Sequence, residues 1–226
     1  MRIERLRAMY LLDEYIERED YQRVIKILFC VDSGKRISRK HYLWLCTEGK
    51  EYFTAHLKSA YHLAEANFYE AEFNRTNDVW MAINASSHYR KCGESQHAAE
   101  ILGSISVKNR KSKKMRSAFH TTLGGVKRDL GCAHDAIELG ALAHGLLEDD
   151  FRPCTLLGAV HMEEGNLSLG QEWYAKAVER GASVKSIDSD IRHIYRNAGN
   201  VQKEKLRTFL LKYDPQRFAW IKDSKA

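Results

Sequence analysis

The chain has 226 residues, 44% hydrophobic and 29% charged, which supports a packed core and excludes wholesale disorder. Only two prolines occur, Pro153 and Pro215, which favours long helices over a turn-rich β fold. The 36 lysines and arginines against 30 acids leave a formal charge of +6, compatible with an anionic partner without requiring one.

The N-terminal segment carries charges every few residues and reads as part of the folded chain rather than a signal peptide. No stretch approaches the ~18 apolar residues of a membrane span. Five scattered cysteines with no CxxC pair argue against a disulfide framework, so a reducing, cytoplasmic setting is expected. Residues 1–34 are expected to form a first helical pair, with Leu11, Leu12, Tyr15, Val24 and Leu28 around a turn at Glu19-Asp20. Residues 35–77 form an irregular pair. Its second apolar run, from Tyr52 through Phe68, is long enough for a helix of more than twenty residues. Three repeats are expected over 78–183, and a last repeat with a capping helix over 184–226. Leu206, Phe209, Leu210, Tyr213, Phe218, Trp220 and Ile221 supply the apolar face of that cap.

The repeats are carried by glycines. Gly131, Gly165 and Gly199 are each 34 residues apart, and Leu123-Gly124 and Leu157-Gly158 precede the first two at the same distance. Ala136 and Ala143 align with Gly170 and Ala177. A small residue on each helix lets its partner approach, and a glycine between them ends the first helix in a left-handed turn. Leu157, Gly158, Tyr174 and Ala177 should therefore be in mutual contact.

This 34-residue pattern resembles tetratricopeptide repeats, best over Phe151–Ala182, whose W-Y-A-K-A-V-E-R-G ending is also similar to Sel1-like repeats. Ala82, His120 and Cys154 stand where the family carries tryptophan. The resemblance implies an all-α fold, a right-handed α-α superhelix of about five helical pairs with a C-terminal cap. It also implies that the first helix of each pair lines a concave groove. The positions so implied to hold a partner are Trp80, Ile83, Arg90, Lys91, Arg128, Arg152, Met162, His193 and Arg196. Apolar contact would come from Trp80, Ile83 and Met162, and orientation from the arginines. Ile83, Thr121 and Thr155 occupy the position of a clamp lysine, so a chaperone-tail clamp is not expected.

No phosphate-loop, dinucleotide, zinc-protease or nucleophile-elbow motif occurs, and neither a catalytic site nor a cofactor is expected. His88, Cys92 and His97 are close in sequence but lack the fourth ligand and tight pairing that zinc needs, so no metal is expected. The strongest local anomaly is the run from Lys108 to Arg116. Lys108, Arg110, Lys111, Lys113, Lys114 and Arg116 place six cations in nine residues with no acid. A shorter cluster spans 35–40. The leading expectation is a non-catalytic adaptor that binds a segment of a partner protein in a mildly basic groove. The alternatives are a nucleic-acid accessory protein using the 108–116 run on phosphates, or the regulatory subunit of an enzyme complex. The oligomeric state stays open.

Overall fold

The computed structural model describes residues 2–12 and 16–222. Among these residues the chain is all-α, with twelve α-helices, two 3-10 turns and no strand. It divides into two compact units, 1–105 and 106–226.

The first unit contains α1 (Arg2–Met9), α2 (Tyr21–Asp32), α3 (Arg39–Cys46), α4 (Ala55–Thr76), α5 (Val79–Lys91) and α6 (Ser95–Gly103). Leu6, Val24, Leu28, Leu45 and Leu57 are buried together at its N-terminal end. Leu11, expected on a helix, instead has φ +53° just beyond α1 and is exposed, while Tyr15 lies outside the described residues. The long apolar run becomes α4, of 22 residues. This helix packs along α5, across the expected boundary at 77/78. The turn between them is short for local reasons. Asn77 closes α4 in the left-handed region that asparagine tolerates, and the Asp78 carboxylate accepts the Trp80 amide to start α5.

The second unit contains α7 (Lys113–Asp129), α8 (Ala133–Leu146), α9 (Phe151–Glu163), α10 (Leu167–Glu179), α11 (Val184–Asn197) and α12 (Asn200–Tyr213). Helix α7 lies along α8 and α9 along α10, while α9 also touches α7, α8 and α11. This is the neighbour pattern of stacked hairpins, each covering the next one's apolar stripe. Gly131 and Gly165 close α7 and α9 with φ of +77° and +80°, as the spacing requires. Gly199 also sits between two helices, but its φ is −69° and it starts α12 from an extended conformation. The backbones of α11 and α12 come close over only a short stretch, and side chains fill the space between them.

The close-approach glycines lie where the pattern puts them. A Cβ on Gly158 would fall 2.8 Å from the Tyr174 ring, and one on Gly124 would fall 2.7 Å from Leu156. Leu157, Tyr174 and Ala177 are almost wholly buried. The C-terminal segment packs Leu206, Leu210, Phe218 and Ile221 against Ile187, Ile191 and Tyr195. The Arg192 guanidinium lies 4.3 Å over the Trp220 ring, fastening the end of the chain to α11.

Candidate functional site

The positions assigned to a groove separate into three kinds. In the first unit Trp80 is 36% exposed and Lys91 is exposed, whereas Arg90 is half-buried. Ile83 is 5% exposed on the inner face of α5, so it serves the core rather than a partner. Met162 in the second unit is likewise fully buried, against Gly170. Both carry large apolar side chains at helical positions that neighbouring helices cover, and burial there outweighs any use at a surface. Arg152, His193 and Arg196 are exposed; Arg152 hydrogen-bonds Asp150 at 3.2 Å, and His193 meets the Asn197 amide at 2.9 Å.

Arg128 is an internal anchor. Its Nε donates to Glu163 Oε2 at 2.8 Å and its Nη2 to Oε1 at 2.7 Å, with Asp190 Oδ1 at 3.3 Å. Asp190 also accepts from the Tyr174 hydroxyl at 2.7 Å. The network ties α7, α9, α10 and α11 together. Burial of Arg128 by itself favours deprotonation, but its hydrogen bonds to Glu163 and the charges of Asp190 and Glu163 outweigh it and hold the guanidinium firmly charged. Burial and the neighbouring Asp190 push the Tyr174 hydroxyl well above its ordinary value. Glu163 and Asp190 stand ready-made as the carboxylates expected from a partner.

The histidines of the first unit also turn inward. His62 Nδ1 and His88 Nδ1 meet at 3.0 Å, and burial with the nearby Lys91 charge lowers both rings to about 4. His97 instead bonds Glu70, which raises it, and Glu70 also accepts from the Tyr89 hydroxyl. His88, Cys92 and His97 therefore do not converge. Among the described residues no group of three or more metal-type ligands does so.

The basic run opens the second unit. Lys108, Arg110, Lys111, Lys113 and Lys114 are all exposed, the first three in the loop before α7 and the last two in its first turn, which Ser112 caps by accepting the Met115 amide at 3.2 Å. Arg116 is half-buried, and its Nε has no protein partner. In the shorter cluster, Arg36 forms a two-pronged bond to the buried Glu65 at 2.8 and 2.7 Å and lies 4.0 Å over Phe68, so it is a structural cation.

One cleft was not anticipated from the sequence. It has a volume of about 220 Å³ in the second unit and is lined by Tyr174, Val178, Val184, Ile187, Tyr213 and Arg217. Val178, Val184 and Tyr213 are 37%, 45% and 52% exposed. Gln171 is also on the wall, with its buried Oε1 unpaired. Arg217 is held in place by Asp188 at 2.6 Å. The signal available in the sequence was Tyr213, an aromatic at the end of a helix whose Leu206 and Leu210 pack inward.

Among the described residues no helix is long and apolar enough to cross a membrane. Comparison with protein-family models, curated proteins and solved structures finds no match to this chain.

Proposed function

We propose that the chain is a non-catalytic adaptor, working in the cytoplasm, whose second unit is a right-handed stack of tetratricopeptide-like hairpins holding a segment of a partner protein. The observation that carries this reading is the cleft bounded by α10, α11 and the end of α12. Val178, Val184 and Tyr213 expose apolar surface around it instead of joining the core beneath, while Arg217 in its lining is already paired with Asp188. Such a surface suits the apolar face of a helix or an extended segment. The partner site therefore moves from Ile83, Arg128 and Met162 to this cleft.

A photo-crosslinking residue placed at Val184 in the full chain, expressed in its native host, tests the reading. The expected result is one protein adduct that survives nuclease. Adducts that disappear with nuclease, or none at Val184, would overturn it. The second reading is phosphate-backbone binding by Lys108, Arg110, Lys111, Lys113 and Lys114. The observation in its favour is that all five cations are exposed and appear in none of the ion pairs between described residues.

A further inference from the structure

The first unit has a concavity of about 240 Å³ between α2 and α3. Arg23, Lys40 and His41 supply its basic lining, Leu43 and Trp44 its apolar lining, and Thr47 and Glu48 complete it, Glu48 being its one acid. Arg23 and Lys26 are three residues apart on α2, so they share a face. Lys40 and His41 lie in the first turn of α3, which contains no acid. Cations there add to the positive end of the helix dipole instead of offsetting it.

None of the ion pairs between described residues of this unit engages Arg23, Lys26 or Lys40. Against the single acid Glu48 the cations leave an excess of positive charge, which is felt locally. Burial, and then the charges of Lys26, Arg23 and Lys40, lower the His41 imidazole below its ordinary value. Gly49 fixes the floor, because a Cβ there would fall 2.6 Å from the Trp44 ring.

We propose that this concavity binds a phosphate monoester through Arg23, Lys40 and His41, with Lys26 adding to the field. A monoester concentrates two negative charges and three terminal oxygens on one compact group, which matches basic side chains that share the lining of one concavity. The arginine fork and the lysine point charge are suited to those oxygens. A single-stranded nucleic acid fits less well. Arg23 lies 4.7 Å over the Trp44 ring and Trp44 is 7% exposed, so no aromatic face is open for base stacking. Leu43, 50% exposed, offers apolar surface to the group that carries the ester. This site is separate from the adaptor cleft and does not depend on it.

Calorimetric titration of the full chain at low ionic strength provides the test, with phenyl phosphate as the monoester, inorganic phosphate as the free ion and a duplex oligonucleotide as the diester. Phenyl phosphate is expected to bind at ~1 mM or tighter. Lys40→Gln, an exposed change that leaves the fold intact, should weaken it about tenfold, as loss of one charge-assisted hydrogen bond implies. Lys205→Gln, exposed on α12 of the other unit, should leave it unchanged. Equal affinity for phenyl phosphate and inorganic phosphate would assign the site to the phosphate group alone. Tighter phenyl phosphate would bring in the Leu43 wall. No heat with phenyl phosphate at about 10 mM would overturn the proposal. So would unchanged binding in Lys40→Gln, or binding of the duplex without the monoester.

Discussion

Arg128 and Glu163 face each other across α7 and α9 in a two-pronged bond of 2.7 and 2.8 Å, with the Arg128 side chain only 15% exposed. Removing one member of a mostly buried pair leaves the other without compensation, at a cost of about 3–5 kcal/mol. Arg128→Ala is therefore expected to lower the urea midpoint of the second unit substantially. Arg152→Ala, which removes an exposed arginine bonded to its own helix cap, should shift it by less than ~1 kcal/mol. Equal effects of the two substitutions would refute the anchoring role.

The glycines give a second prediction, because two of them are required for different reasons. Gly158→Leu pushes a branched side chain into the Tyr174 ring, which a Cβ alone would already approach to 2.8 Å. The expected loss is about 1–3 kcal/mol or more. Gly165→Ala meets no neighbour within 4 Å but must hold φ +80°, so its cost is conformational alone, about 1–2 kcal/mol. Thermal melts of both variants check this. A melting temperature unchanged in Gly158→Leu would mean that α9 and α10 do not pack as described.

These glycines were legible in the sequence because a turn and a close approach each demand one residue type at one spacing. The use of Arg128 was not, because a repeat position specifies a face and says nothing about what already occupies it. A clue was present: Glu163 follows Arg128 by 35 residues, close to one repeat, so opposite charges meet on successive first helices. Asp190, a further 27 residues on, has no such periodic signature. Ile83 and Met162 were misplaced for the same reason, since their bulk suits a core at least as well as a groove. The cleft at Val184 and Tyr213 depends on how the end of α12 returns past α10, which no local pattern encodes.

The His62–His88 contact makes the first unit sensitive to acid. An Nδ1-to-Nδ1 bond of 3.0 Å needs one N–H and one lone pair, so the two rings cannot both be protonated, and burial disfavours charging either. Their folded values are about 4, against 6.5 for an ordinary imidazole. Between those limits the unfolded chain binds more protons than the folded one. Stability is thus full above pH 6.5 and falls as pH drops towards 4. His97 acts oppositely, because Glu70 favours its charged form. In His88→Gln, hydrogen exchange of α4 and α5 should show a shallower loss of protection from pH 6.5 to 4 than in the parent. An identical slope would remove the pair as its source.

The two binding readings part at separate surfaces of the second unit. Changing Lys111, Lys113 and Lys114 to Gln removes three exposed charges and should move stability by less than ~0.5 kcal/mol. If the run contacts phosphates, the log–log salt slope for duplex binding should fall by about 0.9 per lost contact. If the chain is an adaptor, that triple variant should still capture its protein partner. Val184→Glu should not, because it places a carboxylate on the exposed apolar wall of the cleft. The adaptor reading expects the second pattern: capture retained in the lysine variant and lost in Val184→Glu, with both melting within a few degrees of the parent. Capture lost with the lysines and kept with Val184→Glu would transfer the function to the basic run.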